Sequence, residues 1–266
     1  MQKTFLIYLL LFFITTALFG QQRFSQYFEK YGVTGSTTVY DYKNKIWTFT
    51  DSADAAVETL PASTFKILNS LIALQTKVLS DENEIIKWDG TPHQLFGKPY
   101  PIWDKDMNLK NAYKNSAIWF YVRVAEKVGR KQYKKLLRQI CYGNADLTEK
   151  GTDFWNYGKF AISPKNQIAF LVNLYEDNLP FSEHNLRIVK DMMVSEKDDI
   201  GTFRDKTGWT KKDGEDIGWW TGYVTTNDNV YFFATRIMQN SNVDNSEFAG
   251  ARKIITKEIL KSIVLK

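Results

Sequence analysis

The strand-patterned stretches of this chain lie at its two ends, and what separates them reads as helix and turn. Residues 32–41 and 45–50 alternate Val/Thr/Tyr and Ile/Trp/Phe with polar neighbours. Tyr42-Lys43-Asn44 joins them as a turn. Past Gly201 the pattern returns. Residues 216–225 and 230–238 are β-rich, with Thr226-Asn227-Asp228-Asn229 as the hairpin turn between them. Residues 63–78 switch to helical spacing (Phe65, Ile67, Leu68, Leu71, Ile72, Leu74) without a glycine. Between about 80 and 189 come polar turns and helical stretches, clearest at 116–128 and 131–140, and residues 251–265 form a closing amphipathic helix. This order predicts a mixed α/β fold. One antiparallel sheet is built from both termini and flanked by helices, with an all-helical region inserted between them. No internal repeat or low-complexity linker divides the chain, and 266 residues are enough for a sizeable core.

The first twenty residues are expected to be a signal peptide. Lys3 is followed by residues 5–19, interrupted only by the clearly polar Thr15 and Thr16. A spanning helix needs about 20 apolar residues, and a secretory leader roughly 7 to 15. Ala17 and Gly20 supply small residues before a cut at Gln21. Residues 21–266 then form the mature domain, exported to the periplasm without stable membrane association; an uncleaved anchor is the alternative. A homodimer is compatible with this reading.

Composition removes several chemistries. Cys141 is the single cysteine, which excludes an intrachain disulfide and a cysteine zinc cluster. His93 and His184 match no metal-ligand spacing, so no metal is expected. The mature chain has 35 − 1 = 34 basic residues against 30 acidic ones. The bases are scattered, with nothing longer than adjacent pairs such as Lys134-Lys135. Nucleic-acid binding would want a clustered stripe, so none is expected; the mild positive balance suits small anionic substrates.

The candidate chemistry begins at Ser63-Thr64-Phe65-Lys66. Three-residue spacing on a helix sets Ser63 and Lys66 on one face, roughly 5–6 Å apart at Cβ. A serine at a helix start also meets free N–H groups and the positive dipole end, which suit a nucleophile and an oxyanion. Alone the motif says little, because about one S-x-x-K is expected by chance. The plain alternative is an N-cap serine with a solvated lysine. Lys206-Thr207-Gly208 at the head of the C-terminal β-rich segment changes the odds, since S-x-x-K acyl enzymes carry a K-T-G there. Ser116-Ala117-Ile118 opens a helix and offers a second hydroxyl, or else another N-cap. Tyr142-Gly143-Asn144 follows the helix ending near Ile140, where a glycine turn is the ordinary explanation.

Taken together and in order, these motifs resemble the class D, oxacillinase-type serine β-lactamases across essentially all of residues 21–266. Ser63–Lys66, Tyr142–Asn144 and Lys206–Trp209 match directly. So do Lys87-Trp88-Asp89-Gly90, Phe154-Trp155, Ile162-Ser163-Pro164 and Trp219-Trp220-Thr221-Gly222. Ile118 stands where the family usually has Val, and Asn156 where Leu commonly follows Phe-Trp.

The resemblance implies that Ser63 attacks the lactam carbonyl and that the backbone N–H groups of Ser63 and Trp209 hold the oxyanion. It implies that Lys66 is an N6-carboxylysine, made from CO2 or bicarbonate, acting as base for acylation and deacylation. Trp155 would donate its indole N–H to that carbamate, and Ile118 would help keep its pocket apolar. Lys206 would relay a proton through Ser116. Thr207, Gly208, Trp209 and Arg252 would hold the antibiotic, with Arg252 on its carboxylate. No organic cofactor is implied. No separate glutamate base and no S-D-N tripeptide are present, which favours the carbamate. The alternatives are a penicillin-binding or β-lactam-sensing domain that acylates without fast turnover. A sensor would normally follow a multi-span membrane portion, and this chain has one short apolar run.

Overall fold

A computed structural model describes residues 24–264. The expected signal peptide lies outside the described residues. Strands β1 (Thr34–Asp41), β2 (Ile46–Phe49), β5 (Val194–Lys197), β6 (Thr202–Lys212), β7 (Glu215–Thr225) and β8 (Val230–Asn240) form one sheet. Their order is β2-β1-β8-β7-β6-β5, with every neighbouring pair antiparallel. The N-terminal hairpin thus joins the C-terminal strands through β1 and β8, as expected from strands at both ends.

Between β2 and β5 lie α1 (Lys66–Gln75), α2 (Leu109–Lys114), α3 (Ile118–Val128), α4 (Arg130–Gln139), α5 (Pro164–Tyr175) and α6 (Glu183–Met192). A small hairpin, β3 (Gln94–Leu95) with β4 (Lys98–Pro99), is inserted among them. The closing helix α7 spans Phe248–Val264.

The central strands are apolar on both sides because helices cover both sheet faces. Trp219 and Phe232 enter the core shared with the helical insertion, and their neighbours Trp220 and Phe233 enter the core under α7. This is the two-residue period of a strand expressed twice.

Several boundaries differ from expectation. Residues 62–65 form a 3-10 turn, and the α-helix starts at Lys66, because Ala62 takes a left-handed backbone (φ 51°) held by tertiary bonds. The helix expected from Ser116 starts at Ile118. Lys206-Thr207-Gly208 lies in β6, the first of the three long C-terminal strands, at the head of the β-rich segment as expected. Ser163 caps α5 by accepting from the Asn166 N–H, and Pro164 follows at the first helical position, so Ile162-Ser163-Pro164 is a helix start.

A buried ion pair ties β8 to the segment before the 3-10 turn. Arg236, with no exposed surface, pairs through Nη2 with Asp54 and donates through Nη1 to the Val57 carbonyl (2.8 Å) and Thr59 Oγ1 (3.2 Å). Ser36 donates to the other Asp54 oxygen.

Candidate active site

Ser63 sits on a turn held from both sides. Thr59 and Ile162 exchange backbone hydrogen bonds at 3.1 and 2.9 Å, and the Ala62 N–H donates to the Trp155 carbonyl at 2.9 Å. The Trp219 indole donates to the Leu60 carbonyl at 2.9 Å, and Gln167 Nε2 donates to Thr64 Oγ1 at 2.8 Å. Tyr142-Gly143-Asn144 anchors the segment just before Ile162, on the far side of this bridge. Gly143 has φ 60°, and a Cβ there would lie 2.3 Å from the Ala161 carbonyl oxygen. Asn144 Oδ1 accepts from the Ala161 N–H (3.1 Å) while its Nδ2 donates to the Lys159 carbonyl (2.8 Å). Tyr142-Gly143-Asn144 is therefore a clamp on residues 159–161, beyond an ordinary glycine turn.

The Lys66 amine donates to Ser63 Oγ at 2.8 Å, and Lys66 has no exposed surface. Phe65 packs its ring 5.7 Å from that of Trp155, and Lys66 Nζ lies 5.3 Å above the Tyr121 ring. Burial pushes the Lys66 amine well below the ordinary lysine range, and the charge of Lys206 pushes the same way. Neither bland alternative fits: Ser63 caps no helix, and Lys66 is not solvated. The Trp155 indole N–H is buried with no hydrogen-bond partner.

Ser116 occupies the turn between α2 and α3 with φ 55°, a strained conformation for a serine of the kind that clusters at functional sites. Ala117, not Ser116, is the N-cap of α3, so the second capping alternative also falls away. The turn is fastened by the Trp103 indole, which donates to the Asn115 carbonyl at 2.9 Å. Ile118 is half-buried against the core beside it.

Strand β6 carries the next group. A Cβ at Gly208 would lie 3.0 Å from the Pro61 carbonyl oxygen and 3.2 Å from the Ser63 nitrogen, so the strand runs close against the turn and a side chain there would press on it. Lys206 is buried, with Nζ 5.6 Å above the Tyr113 ring and donating to the Thr207 carbonyl at 3.2 Å. Burial lowers its amine to about 7, with Arg252 and Lys253 adding to the fall and Asp205 opposing it.

Arg252, in the first turns of α7, is buried too, and donates through Nη1 to the Gly208 carbonyl at 2.7 Å. Its Nε has no partner, and burial lowers the guanidinium to about 10. It is not a solvated helix-start arginine. Trp209 turns its indole to Asp216 Oδ1 (3.1 Å), leaving only its backbone for the role first expected of it. Its ring packs 4.9 Å from Phe96 at the tip of the β3–β4 hairpin and 5.1 Å from Phe248.

Asn156 is buried; its carbonyl accepts from Thr210 Oγ1 at 2.8 Å, and its Nδ2 has no partner. Asp153, Asp205, Tyr113 and Phe96 were not identified from the sequence. The acid of Asp153 is raised by burial. A cavity of about 590 Å³ opens beside Lys206 and Thr207, bordered by Tyr113, Ser195, Asp205 and Lys253. Among the described residues no cluster of His, Cys, Asp and Glu could hold a metal ion.

A buried amine on a serine, a second buried lysine on β6 and a buried arginine of α7 bonded to that strand suit acyl transfer on a mixed α/β fold. Residues 34–261 match the penicillin binding protein transpeptidase domain family. The chain is 40% identical over 220 residues to the β-lactamase OXA-48 of Klebsiella pneumoniae, covering 82% of this chain and 80% of that one. It is 33% identical to the β-lactamase OXA-5 of Pseudomonas aeruginosa, covering 98% of this chain and 97% of that one. The solved class D β-lactamase from Sebaldella termitidis superposes with a TM-score of 0.85 at 43% identity, covering 91% of this chain and 95% of that one. This chain belongs to the class D β-lactamases.

Proposed function

We propose that this class D β-lactamase opens the lactam ring of penicillin-type antibiotics with Ser63 as nucleophile and a carboxylated Lys66 as base, and so confers resistance. One observation carries the assignment: the Lys66 amine is wholly buried and donates to Ser63 Oγ at 2.8 Å. An ordinary ammonium cannot take a proton near neutrality, whereas a desolvated neutral amine is free to add CO2 and lose a proton. The carbamate so formed would supply an anionic oxygen, first toward the Ser63 hydroxyl and later toward water. The pocket fits that group, because Trp155 holds an unpartnered indole N–H in the same aromatic wall.

Ser63 Oγ, freed of its proton, bonds to the lactam carbonyl carbon. The N–H groups of Ser63 and Trp209 receive the oxyanion; losing one such donor typically costs about 2.7–4 kcal/mol. The ring C–N bond then breaks and the nitrogen takes a proton through Ser116 and Lys206. Water attacks the acyl carbon, and Ser63 leaves with its proton restored. Thr207, Gly208 and the backbone of Trp209 line the antibiotic, while Arg252 grips its carboxylate. Export to the periplasm, supported by the leader-like first twenty residues, places the enzyme where penicillins act.

The test is steady-state turnover of a penicillin and a chromogenic cephalosporin by residues 21–266 in CO2-depleted buffer, then with bicarbonate restored. Activity is expected to fall on depletion and return with bicarbonate. A single burst followed by a stall would replace hydrolysis with a penicillin-binding or sensing role. Continuous turnover indifferent to bicarbonate would remove the carbamate.

Arg252→Ala is expected to raise KM for penicillins by about tenfold or more, the loss of a charge-assisted hydrogen bond, with a smaller change in kcat. An unaltered KM would reassign Arg252 to holding β6 through the Gly208 carbonyl.

A further inference from the structure

The sequence of α4, Arg-Lys-Gln-Tyr-Lys-Lys-Leu-Leu-Arg-Gln, sorts by the period of a helix into two opposite faces. Lys131, Lys134, Lys135 and Arg138 stand at i, i+3, i+4 and i+7 and share one face, and all four are exposed. Tyr133, Leu136 and Leu137 form the other face and are buried. Tyr133 donates to Asn69 Oδ1 at 2.6 Å and sets its ring 6.1 Å from Phe65, so the basic face is turned away from the Ser63 turn. Bases that look scattered along the chain thus meet on one stripe about 10 Å long. An open hollow of about 450 Å³ is bordered by these same four side chains.

Nothing neutralises the stripe. Elsewhere lysines of this chain sit on acids, as Lys190 does on Asp177 at 2.7 Å and Lys257 on Glu196 and Asp198 at 2.9 and 2.7 Å. Among the described residues no carboxylate pairs with Lys131, Lys134, Lys135 or Arg138. Asp146 is held low chiefly by its hydrogen bonds from Thr148, with Lys134 and Lys159 adding only a more distant charge. Neighbouring Arg130 is engaged instead, donating to the carbonyls of Leu147, Lys150 and Gly151. The arrangement destabilises the helix. Lys131 and Lys135 repel at i, i+4, as do Lys134 and Arg138, and the first turn holds two cations and no acid against the dipole.

Four cations on a convex face, three of them on flexible lysine stems, suit a flat array of phosphates better than a shaped ligand. Tyr133, the one aromatic residue of α4, is buried, so the face offers no ring on which a nucleic-acid base could stack. The apolar residues of α4 are committed to the core, which leaves nothing to insert among lipid tails. We propose that the outer face of α4 docks on an anionic phospholipid surface, with headgroup phosphates seated among Lys131, Lys134, Lys135 and Arg138. The contact is electrostatic, reversible and released by salt, and is not an anchor.

The experiment is co-sedimentation of residues 21–266 with vesicles of phosphatidylcholine alone, or of phosphatidylcholine and phosphatidylglycerol in equal parts. Wild type is expected to bind the anionic vesicles at low salt, to leave them at high salt, and to ignore phosphatidylcholine. Lys134→Gln with Lys135→Gln is expected to weaken binding by about 25-fold, about fivefold for each lysine. Lys30→Gln with Lys212→Gln lowers the net charge equally, at exposed lysines beside α7 and at the end of β6, and is expected to bind like wild type. Penicillin hydrolysis without vesicles should be the same in all three proteins, which shows that each is folded.

Equal losses in the two double variants would assign the binding to overall charge and overturn the proposal. So would a wild type that stays off the anionic vesicles at low salt. Release by inorganic phosphate at unchanged ionic strength would make the hollow a site for the free ion, and a DNA duplex held by this face more tightly than the vesicles would make nucleic acid the partner. Either result overturns the lipid surface.

Discussion

Lys66→Ala is expected to lower kcat for penicillin hydrolysis by roughly 10⁴-fold or more, with no rescue by bicarbonate. A positioned base typically contributes 10²–10⁴-fold, and groups that act as one unit with a nucleophile cost more than that when removed. Lys66 acts on Ser63 directly, at 2.8 Å.

The same residue should weaken the fold, and Lys66→Met, which fills the space without the amine, separates the two effects. Burial holds the folded Lys66 amine well below its ordinary 10.5. Between the folded and unfolded values the unfolded chain binds a proton that the native chain does not, so stability rises with pH through that window. Lys206 adds the same slope between about 7 and 10.5, and below that range the penalty is fully present. In CO2-depleted buffer at pH 7, Lys66→Met is therefore expected to have a higher Tm than wild type and a shallower rise of stability toward pH 9. Such a trade of stability for function is common at active sites. A variant less stable than wild type at pH 7 would mean that the buried amine is better accommodated than its surroundings suggest.

The sequence motifs identified the reacting groups better than the shapes that hold them. Ser63 and Lys66 could be paired from their spacing alone, and Lys206 through Gly208 from their place among strands. The 3-10 turn could not, because it depends on the Ala62 bond to Trp155 and the Thr59–Ile162 bridge, about a hundred residues away in sequence. The hairpin Gln94–Pro99 has two-residue strands, too short to show a period, and its tip is seated by Phe96 against Trp209. Strand β5 (Val-Ser-Glu-Lys) has no apolar alternation and lies exposed at the sheet edge. Charged residues gave the other misses. Asp205 and Arg236 look like solvent-facing positions of their strands, and become buried only because helices close over both sheet faces.

Arg236 carries the second large effect. Its guanidinium is wholly buried, and Asp54 is its only ionic partner among the described residues. Removing one member of such a pair strands the other charge in the core, which typically costs 3–5 kcal/mol. Asp54→Ala is expected to lose about that much in urea unfolding, equivalent to roughly 10 °C in Tm for a domain of this size. Replacing both, as Asp54→Ala with Arg236→Met, is expected to recover most of the loss, because an apolar pair has no charge to desolvate.

The two constructions should differ at the active site as well. Arg236 also holds the Val57 carbonyl and Thr59 Oγ1, and Thr59 bridges to Ile162 beside the turn that carries Ser63. The double variant should thus regain stability while kcat stays below wild type, since the segment before Ser63 has lost its anchor on β8. Full recovery of both would show that the ion pair serves only the fold, and a single Asp54→Ala loss under about 1 kcal/mol would show that the buried guanidinium is satisfied without its acid.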